Sequence, residues 1–323
     1  MVILVGVDEA GYGPNLGPLA VAATAWSLPA AEVEQFPGPA FEGILSGCRP
    51  AAKASTLWIA DSKLVYKSGK GLGLLERAVL PMAAMAHQRA EIVTSWQELL
   101  DLLSPGAAGR LAAAPWYSDL ASPLPRDAQR AELEELAEQL PRQLQQRDTR
   151  IVSLETRLLT VADFNEGIRR YDNKGELLSR TSLELVRSVI DRFPTDPVIV
   201  HCDKHGGRNR YADLLQELFP DYLVEIHGES RELSRYRWGP PGCRREIRFA
   251  VGGDSFLPTA LASMTAKYLR ELCMAAFNAY WQRQLPGLQP TAGYPLDARR
   301  FMESINELCQ QLDIEKDQLW RCR

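Results

Sequence analysis

Soft metal ligands are sparse in this chain. Only four histidines and six cysteines occur in 323 residues, and no two cysteines form a CxxC pair. The scattered Cys48, Cys202, Cys243, Cys273, Cys309 and Cys322 therefore argue against a zinc site or a disulfide framework, and reduced thiols are the expectation. Long apolar runs are also missing. The best stretch, Leu19 to Leu28, falls far short of the roughly 20 residues that a helix needs to cross a bilayer. The N-terminus, MVILVGVDEA, has no basic leader region and reads as a first strand rather than a signal peptide. A cytoplasmic protein with no membrane partner is expected. Neither charge sign dominates: 37 Lys and Arg stand against 41 Asp and Glu, a formal net charge of -4. That balance counts against indiscriminate coating of nucleic acid, but says nothing of a local basic groove. With 46% hydrophobic and 24% charged residues, and no internal repeat, the chain is neither disordered nor solenoidal.

What is present alternates strands with helices, which argues an α/β fold. Residues 2–7 (VILVGV) form a continuous apolar run, as expected of a strand buried on both faces. Further strands are expected over Leu19–Trp26, Arg150–Leu159 and Pro197–Cys202, with a short one over Arg248–Val251. Helices are expected over 71–89, 127–147, 173–193, 211–218, 257–281 and 297–312. Pro81 should kink or split the first of these and Pro141 should interrupt the second. In that second segment Leu133, Leu136, Leu140 and Leu144 share one face, the pattern of a helix packing on the body of the protein. Residues 95–148 read as an insertion, a Pro- and Ala-rich loop followed by a helix. It divides one domain formed by 1–94 and 149–323, whose C-terminal helical part starts near 282.

Three acids share one context. Asp8 follows VILVGV, Asp203 follows VIVHC and Asp254 follows FAVGG, each where an apolar strand gives way to a turn. Glu9 adjoins Asp8. Ligands of open α/β sheets gather outside such strand ends. Two carboxylates at ~4 Å repel by about 4 kcal/mol at an effective dielectric near 20. A cluster of them calls for a proton or a divalent cation, and an all-oxygen donor set favours Mg²⁺ or Mn²⁺ over zinc. The competing reading of each acid is a turn former or helix cap.

These residues carry a family resemblance. Asp8-Glu9-Ala10-Gly11-Tyr12-Gly13-Pro14-Asn15-Leu16-Gly17-Pro18 resembles the DEAGRGPxxGP opening of ribonuclease HII. Ala60-Asp61-Ser62-Lys63-Leu64 is similar to the DSKKL segment, Asp203 to the VDG aspartate and Asp254 to the GD aspartate. Ala262 to Glu271 (ASMTAKYLRE) resembles ASIxAKxxRD, and Gly293-Tyr294-Pro295 resembles the late GYP motif. The motifs follow family order over most of the chain. The resemblance implies a ribonuclease H-like mixed sheet flanked by helices. It implies a monomeric endonuclease that hydrolyses the RNA strand of RNA–DNA hybrids, or ribonucleotides embedded in duplex DNA. The chemistry implied is in-line attack of water with two Mg²⁺ or Mn²⁺ ions, leaving 3′-hydroxyl and 5′-phosphate ends. Carried over by position, Asp8, Glu9, Asp203 and Asp254 would be the catalytic metal ligands. Gly11, Tyr12, Gly13, Ser62, Lys63, Lys267, Arg270 and Tyr294 would contact substrate, with Lys267 and Arg270 equally suited to bracing the acids.

The chain departs from the family pattern in places. Tyr12 replaces an arginine, which removes a cation and its donor fork. Leu64 replaces a second lysine, and the third acid lies within His201-Cys202-Asp203-Lys204-His205-Gly206-Gly207. These changes leave an alternative open: a nucleic-acid-binding module of the same fold with altered or lost catalysis. His205 could donate a proton or simply structure its loop. Residues 231–248 hold six arginines against two glutamates, interleaved with Tyr236 and Trp238, and are expected to contact nucleic acid.

Overall fold

The computed structural model describes residues 1–49, 56–67, 69–253 and 256–322. Its strands are β1 (Val2–Ala10), β2 (Leu19–Leu28), β3 (Leu45–Ser46), β4 (Leu57–Trp58), β5 (Arg150–Leu159), β6 (Val198–Asp203), β7 (Glu225–Glu229), β8 (Leu233–Trp238) and β9 (Arg245–Ala250). Its α-helices are α1 (Ser62–Val65), α2 (Gly73–Ala86), α3 (Trp96–Leu103), α4 (Ala107–Ala112), α5 (Arg130–Gln145), α6 (Val161–Tyr171), α7 (Lys174–Ile190), α8 (Ala212–Leu218), α9 (Leu257–Gln284), α10 (Pro295–Gln311) and α11 (Lys316–Leu319). Seven strands make one sheet in the order β5-β2-β1-β6-β9-β8-β7. The centre, β1-β6-β9, is parallel, and the flanking pairs are antiparallel. This is the mixed sheet flanked by helices that the motifs implied.

The two faces of the sheet follow from the two-residue period of a strand. In β1 and β2, Val2, Leu4, Ala20, Ala22 and Trp26 pack on one face with α2, α3, α5 and α9. Ile3, Val5, Val7, Val21, Ala23 and Ala25 pack on the other with α6, α7 and α8. With apolar residues on both sides, the central strands read as unbroken runs.

Helix α9 lies directly on β1. A Cβ at Gly6 would sit 2.1 Å from the backbone of Pro258 and Thr259, so only glycine permits this approach. Two hydrogen bonds pin the same end: Thr24 Oγ1 donates to Pro258 O at 2.8 Å, and Thr259 Oγ1 donates to His201 O at 3.3 Å. The start of α9 is thereby tied to β2 and β6 as well as to β1.

Residues 95–148 supply α3, α4 and α5, and their apolar side chains join the core that α9 shares with β1 and β2. A buried carboxylate fastens this segment. Glu76 of α2 is fully buried. It accepts backbone N–H groups from Arg126 (2.6 Å), Asp127 (2.9 Å) and Ala128 (2.8 Å), and the Tyr268 hydroxyl at 3.0 Å.

Three expectations change. Helix α2 runs unsplit through Pro81, and α5 through Pro141. Proline inside a helix costs about 3 kcal/mol. Each of the four buried leucines of α5 returns roughly 1.5–3 kcal/mol, so burial outweighs the lost bond. Residues 225–250 form three strands rather than a basic loop with one short strand. In β8, Ser234, Tyr236 and Trp238 point into the core while Arg235 and Arg237 alternate outward.

Replacing Glu76 with alanine would strand three backbone donors in the core. A loss of about 3 kcal/mol of stability is expected, read as a lower urea midpoint. A change below 1 kcal/mol would contradict the fastening role.

Candidate active site

The parallel pairing of β1 with β6 aligns Val7 with Cys202. Asp8 and Asp203 are each the next residue along, so both acids stand at neighbouring positions where the pairing of these two strands ends. Strand β6 stops at Asp203, whereas β1 continues to Ala10 alongside β2, so Asp8 lies within its strand and not, as expected, at its end. Asp203 is also where β6 pairs with Ala250 of β9. The turn after β9 folds back onto it, with Gly253 N donating to Asp203 Oδ1 at 3.3 Å. A Cβ on Gly253 would crowd the Asp203 backbone at 3.3 Å. The expected fourth acid, Asp254, lies outside the described residues.

Glu9 registers this crowding. Burial, then the charges of Asp8 and Asp203, raise its carboxyl from 4.5 to about 8, while Lys63 pulls in the opposite direction. Lys63 is the exposed residue of the DSK segment, and its ammonium lies 3.9 Å from Asp61. Asp61 caps α1 through Lys63 N at 3.0 Å. Ser62 turns inward, where the Ser263 hydroxyl donates to it at 3.0 Å. This contact joins the DSK segment to the ASMTAKYLRE helix.

The other residues of that helix are engaged with protein. Lys267 Nζ binds Glu271 Oε1 at 2.6 Å and lies 4.7 Å over the Tyr66 ring, whose hydroxyl donates to Glu271 Oε2 at 2.9 Å. Arg270 is 2% exposed and packs under Gly11. Gly11 has φ +94°, and a Cβ there would meet Arg270 at 2.7 Å, so glycine is required on both counts. Arg270 donates to Ala292 O at 2.9 Å, next to the late motif.

The opening loop meets that motif directly. Asn15 N donates to Gly293 O at 2.7 Å, and the Tyr294 ring lies beside Gly13 with 54% of the residue exposed. Tyr12 turns the other way, with its hydroxyl against Gly206 in the loop after Asp203. Burial, then the charge of Glu9, raise its phenol above the ordinary value. Lys174 lies 4.9 Å over its ring.

Arg321 gave no signal in the sequence. It is 1% exposed and donates to the backbone carbonyls of Gly11, Pro14 and Gly17, while its own N–H binds Asn15 O. Burial, then Arg270, lower this guanidinium to about 9. It holds the glycine loop from beneath, and its acceptors are all carbonyls that a sequence motif cannot flag.

For His205 the structure selects the loop-structuring role of the two expected, and for the arginines of 231–248 the reading changes. His205 is buried, with Nδ1 3.2 Å from Ser179 Oγ, and burial lowers it to about 3, so it structures its loop as a neutral ring. The arginines of 231–248 are largely tied to protein. Arg235, Arg237 and Arg248 all bind Glu246, Arg244 binds Glu225, and Arg245 caps the carbonyls of Phe193, Pro194 and Asp196. Burial opposes the Glu246 charge, but hydrogen bonds from Arg235, Arg248 and Arg237 hold it at about 2. Tyr236 and Trp238 are buried and cannot stack on bases.

Among the described residues no group of three or more His, Cys, Asp or Glu side chains is spaced to hold a metal ion. No described helix is long and apolar enough to cross a membrane.

No family model matches the chain, and no curated protein matches it. Solved structures do. The ribonuclease H2 of Pyrococcus horikoshii OT3 is 14% identical, covering 98% of this chain and 92% of its own at a TM-score of 0.43. The RNase HII in the PCNA:RNase HII complex from Archaeoglobus fulgidus is 15% identical over 99% and 94%, at 0.40. Bst-RNase HIII in complex with Mn²⁺ is 14% identical over 99% of this chain and 66% of its own, at 0.40.

The raised Glu9 carboxyl fixes a sign. The folded state holds this proton more tightly than the unfolded chain, so its contribution to stability is present below pH 4.5 and lost as pH rises toward about 8. In chelator, the melting temperature should fall across that window, and Glu9→Gln should flatten the fall. Mg²⁺ or Mn²⁺ at pH 8 should raise the wild-type melting temperature more than that of the variant. Parallel pH profiles for the two proteins would contradict the assignment.

Proposed function

We propose that the chain is a divalent-metal-dependent endoribonuclease of the ribonuclease HII type. It hydrolyses the RNA strand of RNA–DNA hybrids or ribonucleotides embedded in duplex DNA, leaving 3′-hydroxyl and 5′-phosphate ends. The observation that carries this reading is the placement of Asp8 and Asp203 side by side where the parallel pairing of β1 and β6 ends, with Glu9 next to them and its carboxyl raised by burial and by their charges.

The donor chemistry fits Mg²⁺ or Mn²⁺. The acids offer hard oxygens with no histidine or thiolate, and their mutual repulsion is what a divalent cation relieves. By motif position Asp8, Glu9, Asp203 and Asp254 would hold it together, since the three described acids are not by themselves spaced to do so. When bound, the metal supplies positive charge to the attacking and leaving oxygens of the phosphodiester. Mg²⁺ commonly takes one or two carboxylates plus substrate phosphate oxygens, in keeping with a ligand set not closed by the described residues alone.

The chain's own residues do the rest. Gly11, with no side chain and a left-handed backbone, lets the main chain meet a ribose and its 2′-hydroxyl, and the exposed Gly13 adjoins it. Tyr294 offers an exposed ring beside them for a sugar at the RNA–DNA junction. Lys63, exposed and close enough for its charge to act on Glu9, adds positive charge for a phosphate there. Ser62, Lys267 and Arg270 act from behind: Ser62 through Ser263, Lys267 through Glu271, and Arg270 by supporting Gly11.

A second reading, a nucleic-acid-binding module with altered or lost catalysis, draws on the absence of a closed ligand set among the described residues. Cleavage separates the two. The protein should cut a hybrid, and a DNA duplex carrying one ribonucleotide, in Mg²⁺ or Mn²⁺. With Tyr12 in place of the family's arginine, discrimination for the single ribonucleotide should be the weaker activity. Asp8→Asn and Asp203→Asn should each lower the rate by about 1000-fold, the loss of several kcal/mol of charge stabilisation, with the circular dichroism spectrum unchanged. Hybrid binding without cleavage in either metal would favour the second reading.

A further inference from the structure

Beside the opening loop lies a cavity of about 500 Å³ between residues 12–15, the start of α7, Pro295 and the C-terminal segment. Its walls include Tyr12, Asn15, Phe164, Asn173, Lys174 and Arg321. Three of these carry unmet polar capacity. Lys174 is exposed and forms no ion pair among the described residues; its ammonium lies over the Tyr12 ring. Arg321 is buried with carbonyl acceptors and no carboxylate partner, so its charge is not neutralised. Asn15 is 5% exposed, and its Oδ1 is buried with no hydrogen-bond partner.

Buried charges and polar groups are normally paired, so the buried Arg321 without a carboxylate and the orphan Asn15 Oδ1 are complementary to something absent, and the exposed Lys174 adds a second positive charge at the cavity's edge. The cations ask for an anion, and Asn15 Oδ1 asks for a hydroxyl or amine donor. Asp172 at the rim is the opposing charge, which leaves the cavity net positive. Its position narrows the choice. Tyr12 is shared, since its phenol feels Glu9 and its ring carries Lys174. The Tyr12 hydroxyl lies against Gly206 in the loop after Asp203, so the residue that carries Lys174 also borders the acidic end of the sheet.

We propose that this cavity is a nucleic-acid subsite. Lys174 binds a backbone phosphate of the strand beside the opening loop, and Asn15 receives a hydrogen bond from the adjoining sugar or base. The Tyr12 ring holds the ammonium in position, so Lys174 supplies from α7 the positive charge that residue 12 lacks. The inference rests on the nuclease reading for the identity of its ligand.

The test is binding, not cleavage. A fluorescent RNA–DNA hybrid is titrated with full-length protein in chelator, across a series of salt concentrations. Lys174→Gln should weaken binding about fivefold and lower the salt slope by about one. Lys174→Arg should restore both, and the exposed position should leave the melting temperature unchanged. Asn15→Ala should weaken binding with no change in salt slope. An unaltered affinity and slope in Lys174→Gln would overturn the subsite, even if the wild type cleaves. Conversely, a wild type that binds through Lys174 but does not cut would retain the subsite and remove the nuclease. No binding by the wild type in chelator would overturn the subsite, while the nuclease reading stands or falls by cleavage in Mg²⁺ or Mn²⁺.

Discussion

Everything at the candidate site depends on the missing side chain at Gly6. Because nothing projects from it, the first turn of the 257–284 helix rests its backbone on the first strand. That single close contact sets the height and direction of 28 residues. Along them Ser263 then meets Ser62, Tyr268 meets Glu76, and Arg270 arrives under Gly11. Four stretches of chain far apart in sequence are thereby brought to one end of the sheet. A methyl group at position 6 would push the helix away by more than an ångström, and every one of those meetings would be lost.

The loop that follows the first strand is built to be held rather than to hold itself. Its glycines remove side chains that would compete with the backbone, but they also remove packing. Support comes from outside: two buried guanidiniums below, the 291–294 segment beside it, and the C-terminal segment pairing with Leu16. Arginine suits this work because its fork of donors can satisfy several carbonyls at once. The result is a rigid main-chain surface next to a group of carboxylates that resist sharing space. Rigid donors beside concentrated charge are what electrostatic catalysis requires.

The strands over 225–250 show how a local pattern misleads. Arginines interleaved with aromatics suggest a nucleic-acid surface when read as a list. In the sheet the same alternation is a strand with Tyr236 and Trp238 on its buried face and Arg235 and Arg237 on the other, both converging with Arg248 of the next strand on Glu246. The sequence distance between Arg235 and Glu246 hides a cross-strand neighbourhood. Among the described residues, cations with no carboxylate partner stand elsewhere, at Lys174 and Arg321, and neither lies in a basic run.

The first strand runs past Asp8 to Ala10 because the second strand continues to pair with it. By itself the sequence determined the strand end that carries Asp203, the apolar central strands, the leucine stripe of the 130–145 helix and the glycines of the opening loop. These are local or periodic properties, and a chain's own neighbours along the backbone are enough to enforce them. Only the tertiary structure decided that Arg270 faces inward, that Tyr12 carries a lysine from another helix, and that Arg321 lies beneath a loop some 300 residues earlier. Those depend on which strands pair and how closely a helix approaches. Long-range pairing leaves no period in the sequence, and a backbone carbonyl acceptor has no letter at all.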